Sequence, residues 1–144
     1  MALLSVVLLA LPAGAAPTFP PLTGRVVDNA HVLSAETSQT LSAKLEAFEA
    51  ATGHQIVVVT LPSLQGYEIE DYGYQLGRTW QIGQKGKNDG ALFIIAPTER
   101  KVRIEVGYGL EGVMTDALSN VIIQQKVLPP FKAGDMEAGI VGGT

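Results

Sequence analysis

The spacing of apolar residues changes several times along the chain, and each spacing predicts a different element. Unbroken runs of aliphatic and β-branched residues at 55–61 and 91–96 are typical of strands covered on both faces. Residues 101–106 instead alternate between apolar and polar side chains, as a strand with one buried face does. Because only Pro-Thr-Glu-Arg separates the last two runs, the sequence predicts an antiparallel β-hairpin.

A first amphipathic helix is predicted between two recognisable ends. Ser34 is suited to accept a hydrogen bond from the first turn, and Gly53 is suited to the left-handed conformation that closes a helix. Between these ends, Leu41, Leu45 and Phe48 form the predicted buried stripe.

Two more helices are predicted further along the chain. Apolar residues at steps of three and four indicate one of them, namely Ile69, Tyr72, Leu76 and Trp80. The other runs from about Thr115 to Leu128, where Pro129 and Pro130 are expected to stop it because proline cannot donate a backbone hydrogen bond.

The order of these elements predicts the fold class. A short strand ending at Asp28 precedes the first helix, and helices then alternate with strands before the hairpin. This order is typical of the α/β class. We therefore expect a single α/β/α sandwich, with a mixed central sheet that contains the β-hairpin and with helices on both faces.

The N-terminal segment is predicted to be a signal peptide that is removed from the mature protein. Residues 1–15 are largely apolar, break at Pro12 and end in an Ala-x-Ala site, which is the pattern of a secretory signal peptide, although no Lys or Arg precedes the apolar run. The proline-rich residues 16–24 are predicted to form an extended arm, and 25–144 the domain. We therefore expect an exported protein, periplasmic or membrane-associated on the extracytoplasmic side.

Composition and charge narrow the chemistry. The chain has no cysteine, which excludes disulfides, thiolate zinc sites and cysteine nucleophiles. The formal net charge of -4 comes without any basic run, so nucleic-acid binding lacks its electrostatic basis. His31 and His54 both stand near predicted helix ends, and no nucleophile is motif-matched to either.

The segment GYGLEG at 107–112 has the glycine spacing of a dinucleotide-binding turn and lies between a strand and a helix. That function requires a parallel βαβ unit and an acidic residue about 20 positions further on. Here the preceding strand belongs to a hairpin, and Glu111 and Asp116 would repel a phosphate from the helix start. We therefore expect no dinucleotide, and carboxylates that attract a cation instead.

The hairpin register brings the candidate residues together at one edge of the sheet. If Ala96 and Lys101 flank the turn, Gly90 lies opposite Gly107. The candidate metal ligands are Asn88, Asp89, Glu111 and Asp116, with Asp28 if the first strand ends at that edge. Their oxygens suit Ca²⁺ or Mg²⁺ better than zinc. Each is equally suited to a turn or a helix cap, and the glycines to positive φ angles, so both interpretations stay open.

Four spaced segments carry a family resemblance. They are TGRVVDNAHVLS at 23–34, WQIGQKGKNDG at 80–90, RIEVGYGLEGVMTD at 103–116 and PFKAGDM at 130–136. In this order they resemble the TPM domain, often described as TPM phosphatase, over about 22–143. The resemblance implies an α/β/α sandwich, in agreement with the pattern of elements.

The resemblance also implies an extracytoplasmic role. The family includes exported or membrane-anchored bacterial proteins and a thylakoid-lumen protein linked to photosystem II repair. Some members are associated with acid phosphatase activity and Ca²⁺ binding, and many bacterial relatives continue into a transmembrane helix and a glycine-rich tail. By position, the resemblance carries a cation site onto the same five residues, Asp28, Asn88, Asp89, Glu111 and Asp116.

Two functions remain open at this point. In the first, Asp89 and Asp116 are catalytic and hold a divalent ion that activates water for phosphomonoester hydrolysis, with Arg103 or Lys87 adding positive charge. In the second, a noncatalytic module binds a cation and a protein partner during maintenance of the envelope or of a membrane complex. The sequence contains no aspartyl-nucleophile, paired-histidine or arginine signature motif, which favours the second on mechanism. The resemblance to a family described as a phosphatase favours the first.

Overall fold

The protein folds around a four-stranded mixed sheet. The computed structural model describes residues 17–83 and 89–144, so the predicted signal peptide, Lys87 and Asn88 lie outside the described residues. The strands are β1 (Val26–Asp28), β2 (Ile56–Thr60), β3 (Ala91–Ala96) and β4 (Lys101–Val106), in that spatial order. β1, β2 and β3 run parallel, and β4 runs antiparallel to β3.

Helices cover both faces of this sheet, which confirms the predicted α/β sandwich. They are α1 (Ala35–Thr52), α2 (Ile69–Thr79), α3 (Asp116–Ile122), α4 (Leu128–Lys132) and α5 (Met136–Gly143). On one face, α2 packs against Leu92 and Ile94 of β3. On the other face, α1 and the C-terminal helices pack around Phe93 and Ile95. Since both of its faces are covered, all 6 residues of β3 are buried.

The predicted residues set the ends of α1, but its buried stripe is shorter than expected. The hydroxyl oxygen of Ser34 accepts a first-turn N–H at 3.1 Å, and Gly53 ends the helix with a φ of 78°. Leu41 and Leu45 are buried, whereas Phe48 is 44% exposed, so the prediction for Phe48 is wrong. The helix is about 27 Å long and the adjacent strand only about 17 Å, so the last turns of α1 extend past the sheet.

Pro129 and Pro130 do not end the C-terminal helical segment as predicted. After α3, residues Ile123–Val127 form a π-helical turn, and α4 then begins with both prolines in its first turn. First-turn N–H groups have no partner inside a helix, so proline is tolerated there. The prolines therefore mark a change of helical type and not a stop.

The hairpin of β3 and β4 has the predicted register. Ala96 pairs with Lys101 across the turn. At the other end, the N–H of Gly107 donates to the carbonyl oxygen of Gly90 at 2.9 Å, so the pairing continues into both loops.

The proline-rich arm before β1 is anchored on the α2 side of the sheet. The side-chain amide of Gln65 donates to and accepts from the backbone of Thr18, at 2.7 and 2.8 Å. The Tyr72 hydroxyl also donates to the carbonyl oxygen of Thr18, at 3.2 Å, and Trp80 Nε1 donates to the carbonyl oxygen of Pro20 at 2.9 Å. The arm is thus tied to the folded domain by Gln65 and by the polar ends of two aromatic side chains.

Candidate functional site

The topology separates the candidate residues between the two ends of the strands. We call the end where β3 begins and β4 finishes the glycine-loop edge; it comprises residues 89–90 and 107–116. The opposite end, where β1, β2 and β3 finish and residues 97–100 join the hairpin, is the turn edge. The candidates at the glycine-loop edge are Asp89, Glu111 and Asp116.

Asp28 lies at the turn edge, so the prediction that it joins the other carboxylates is wrong. β1 is parallel to β2 and β3, which places its carboxyl end away from Asp89. The two carboxylate oxygens accept hydrogen bonds from the N–H groups of Val32 and Leu33, each at 3.0 Å, and from the hydroxyl of Thr60 at 2.7 Å. Asp28 therefore anchors the loop between β1 and α1.

Asp89 is the buried carboxylate of the glycine-loop edge, with 7% of its surface exposed. Its Oδ2 lies 3.7 Å from Nδ1 of His54, which is close enough for a charge contact when the imidazole is protonated but too long for a hydrogen bond. His54 was not predicted to join the site. The signal was available, because parallel β2 and β3 place the residues before each strand side by side, and Ala91 N–H donates to the Gln55 carbonyl at 2.9 Å.

Glu111 and Asp116 are exposed and occupy positions typical of turn and cap residues. Glu111 follows the short 3-10 turn, and Asp116 stands in the first turn of α3, where the helix dipole favours a carboxylate. Thr115 caps this helix, since its hydroxyl oxygen accepts the N–H of Leu118 at 3.1 Å. The same edge therefore holds one buried carboxylate and two that are solvated.

The described carboxylates do not assemble a metal centre by themselves. In residues 17–83 and 89–144, no three acidic or histidine side chains stand close enough together to hold a metal ion. Asn88, the amide predicted to complete the site, lies outside these ranges. Asp89 is the one predicted ligand here that is withdrawn from solvent and beside an imidazole.

The basic residue proposed to support phosphate chemistry has another partner. Arg103 Nε donates to Glu105 Oε2 at 2.6 Å, and both side chains project from β4 towards α2. Glu105 also lies near Gly73 of α2, where a Cβ atom would stand 3.5 Å from its Oε2. The charge of Arg103 is therefore neutralised by Glu105 on one face of the sheet. Its side chain does not reach into the loop that follows β4, residues 107–115, which we call the glycine loop.

The glycines of 107–112 have a different conformation from the one expected. Gly107 has a φ of -68°, and neither Gly109 nor Gly112 is among the residues with positive φ. A side chain at Gly112 would meet nothing within 4 Å. The segment turns through a 3-10 helix at Tyr108–Leu110. Positive φ angles thus do not account for these glycines.

The glycine loop and α3 expose several large apolar side chains to solvent. Tyr108 is 77% exposed and Val113 76%, both in the loop, while Leu118 and Val121 of α3 are 43% and 47% exposed. Leu118 and Val121 are three residues apart and therefore lie on the same side of their helix. We call these four residues the apolar group. Periodicity alone missed it, because a helix that covers a sheet is expected to turn such residues inward.

The fold and this edge together define an α/β sandwich domain in which Asp89, Glu111 and Asp116 lie outside the strands of the sheet. Residues 26–144 match the family model of the TPM domain. The chain belongs to the TPM domain family, as the resemblance of its four segments predicted. No curated protein matches the chain.

The chain is also similar to solved structures. The N-terminal domain of a protein from P. gingivalis is 35% identical, with a TM-score of 0.78, over 84% of this chain and 77% of that one. The N-terminal domain of a Corynebacterium glutamicum protein is 19% identical, with a TM-score of 0.65, over 90% of this chain and 80% of that one. A protein from the psychrophilic bacterium Bizionia argentinensis is 20% identical, with a TM-score of 0.65, over 77% and 75%. The last two share the fold.

Proposed function

We propose that this TPM domain is a noncatalytic protein-binding module and that it contacts its partner through the glycine-loop edge. The observation that supports this most strongly is the exposure of Tyr108 and Val113, at 77% and 76%, within the loop. Large apolar side chains left in water are found at interaction sites, and tyrosine is enriched where protein interfaces are strongest. Leu118 and Val121 extend the contact along α3.

The arrangement of charges at the edge favours binding over catalysis. Phosphoryl transfer requires positive charge held against the transferring group. Arg103 already neutralises Glu105 on the α2 side, and the described edge offers Glu111 and Asp116, which repel a phosphate. A protein partner needs neither a base nor a nucleophile from this surface.

The described residues fit a divalent cation only in part. Asp89 is a buried oxygen donor, but Glu111 and Asp116 are exposed, and the described chain supplies no group of three ligands. No step of the proposed function passes through Ca²⁺ or Mg²⁺. A titration with each ion, followed by amide NMR shifts, tests whether the edge binds one and orders the loop.

One observation favours the alternative function, metal-assisted phosphomonoester hydrolysis. Asp89 is buried and lies 3.7 Å from an imidazole nitrogen of His54, and carboxylate–imidazole pairs of this kind serve as acid–base groups in enzymes. In this alternative Asp89 and Asp116 are catalytic. Metal-dependent turnover of p-nitrophenyl phosphate that is lost in both Asp89→Asn and Asp116→Asn would overturn the noncatalytic proposal.

We further propose that the module acts on the extracytoplasmic side of a membrane. The apolar pattern of residues 1–15 and the Ala-x-Ala site at its end support export. No helix within the described ranges is both long and apolar enough to cross a bilayer. Fractionation of cells that express the whole chain, followed by N-terminal sequencing of the product, tests export and the cleavage site.

The contact surface is tested by photo-crosslinking in cells. A photoreactive residue placed at Val113 is expected to form a discrete protein adduct, whereas one at Tyr74, which is 50% exposed on α2, is not. Tyr108→Ser should abolish the adduct at 113, while Val141→Ser, a change at another exposed apolar residue, should leave it. Equal adducts at both positions, or an adduct insensitive to Tyr108→Ser, would contradict the proposed surface.

A further inference from the structure

A cavity of about 550 Å³ opens at the turn edge, at the other end of the strands from the glycine loop. One wall is formed by the end of β3, the turn and the start of β4, and the other by α4 and the loop into α5. Its apolar lining includes Val102, Leu128, Phe131 and Met136. Cavities of roughly 300–1,000 Å³ are typical of small-molecule sites, and ligands of α/β proteins commonly bind beyond the carboxyl ends of parallel strands.

The charged residues that line this cavity are all basic. They are Arg100, Lys101 and Lys132, and no acidic residue lines it. The protein as a whole carries a formal net charge of -4, so a cavity with three cations and no carboxylate departs from its average surface. A positively lined concavity attracts anionic ligands.

These cations are also without carboxylate partners in the described chain. The ion pairs there are Arg25 with Glu49, His54 with Asp89, and Arg103 with Glu105. The nearest acidic residues in sequence form no ion pair with them: Glu99 Oε1 accepts the N–H of Leu64 at 3.2 Å while its Oε2 is buried without a hydrogen-bond partner, and Asp135 Oδ1 accepts the N–H of Ala138 at 3.0 Å as the cap of α5. The positive charge of Arg100, Lys101 and Lys132 is therefore available to a ligand.

We propose that this cavity binds a small anionic amphiphile, a molecule with an aliphatic or aromatic body and one carboxylate or phosphate head. The body would pack against Phe131, Leu128 and Met136, and the head would meet Arg100 and Lys132 at the mouth. An inorganic anion would leave the apolar walls uncovered, and a neutral apolar molecule would leave the cations unpaired. The volume suits a small molecule, and a protein surface would not enter it.

The proposal is tested by calorimetric titration of the protein with sodium dodecanoate below its micelle concentration. Saturable one-site binding is expected. Arg100→Gln combined with Lys132→Gln should weaken it about tenfold or more, because charge-assisted hydrogen bonds to the head are lost. The matched control, Lys44→Gln combined with Lys126→Gln, removes two exposed cations outside the cavity and should bind as the unmodified protein does.

Variation of the ligand tests each half of the proposal without altering the fold. Dodecanol, which lacks the charge, and octanoate, which has a shorter body, are both expected to bind about tenfold or more weakly. Inorganic phosphate alone should not saturate the site. Amide NMR shifts on dodecanoate addition should cluster at Val102, Phe131 and Met136.

Any one of several results would overturn the proposal. These are no saturable binding of dodecanoate, equal binding by the Arg100→Gln/Lys132→Gln variant, equal binding of phosphate alone, or NMR shifts confined to Tyr108 and Val113. Binding to anionic vesicles without binding of monomeric dodecanoate would assign the cations to a membrane surface and would also overturn it.

Discussion

Replacing Asp28 tests whether its carboxylate is structural or a metal ligand. The sequence pattern grouped Asp28 with the candidate site, whereas the structure places it at the turn edge. Its oxygens accept the N–H groups of Val32 and Leu33 at 3.0 Å and the hydroxyl of Thr60 at 2.7 Å. Thr60 is fully buried, and its own hydroxyl oxygen accepts the N–H of Ala30 at 3.0 Å. Asp28→Ala therefore removes the acceptor for three donors at once.

The expected cost of Asp28→Ala is about 3 kcal/mol in the free energy of unfolding. Hydrogen bonds to charged groups contribute about 1.5–3 kcal/mol each, but water can replace part of two of them because Asp28 is only half-buried. The bond from the Thr60 hydroxyl is lost without replacement. For a domain of this size, 3 kcal/mol corresponds to a fall in Tm of about 12 °C.

Urea unfolding followed by circular dichroism measures this loss. With an m-value of about 1.5 kcal/mol/M, the midpoint of Asp28→Ala should fall by about 2 M with an unchanged slope. Asp116→Ala, which removes an exposed carboxylate from a helix start, should cost only about 0.5 kcal/mol and serves as the control. A double-mutant cycle with Thr60→Val should give a coupling of about 1 kcal/mol or more.

The reasoning is refuted if Asp28→Ala unfolds within about 1 kcal/mol of the unmodified protein, or if the cycle shows no coupling to Thr60. If the variant were stable but had lost a Ca²⁺ response that the unmodified protein has, Asp28 would be a ligand and its assignment as a loop anchor would be wrong.

Three further predictions concern other contacts. Gly139→Ala should destabilise the protein by about 2 kcal/mol or more, because a Cβ there would overlap the ring of Phe131; urea unfolding measures it, and a neutral result would contradict the packing of α5. Hydrogen bonds lower the pKa of Glu137 below its ordinary 4.5, and the bond from the Thr37 hydroxyl has the largest effect. The stability that ionised Glu137 contributes is therefore present above pH 4.5 and is lost as the pH falls through the lowered pKa. Glu137→Gln should remove this loss of stability at acid pH. Burial raises the pKa of Tyr72 above its ordinary 10.0, so the phenolate absorbance that Tyr72→Phe removes should be absorbance that appears above pH 10. Loss of absorbance that appears below pH 10 would contradict its burial.

Local patterns predicted the fold well because each decisive feature is local. The strict alternation of 101–106 and the short turn before it specify a hairpin register, and Ala96 pairs with Lys101 as expected. Ser34 and Gly53 define α1 because caps act within a single turn. The prediction that Phe48 is buried was wrong because its burial depends on how far the sheet extends beneath the helix. A short stretch of sequence does not contain that information.

The candidate site was predicted only in part because it depends on strand direction. A β-strand joined to the next by a helix runs parallel to it, whereas a hairpin reverses the chain. Applied to β1–α1–β2, this rule places Asp28 at the turn edge, and applied to β2 and β3 it places His54 beside Asp89. The positions of Asp28 and His54 could therefore have been predicted from the order of the elements. The exposure of Tyr108 and Val113 could not be predicted from topology, because it depends on whether another part of the folded chain covers the loop.

The two proposed binding regions can be tested independently because the sheet holds them apart. β3 connects the two edges with 6 residues, a span of about 20 Å. That distance exceeds two Debye lengths at about 0.15 M ionic strength, where charges are screened over about 8 Å. Neutralising Arg100 and Lys132 should therefore leave the crosslink at Val113 and any cation response of Asp89 unchanged. A change in either at physiological salt would mean that the hairpin transmits a conformational shift, since direct electrostatics could not carry the effect.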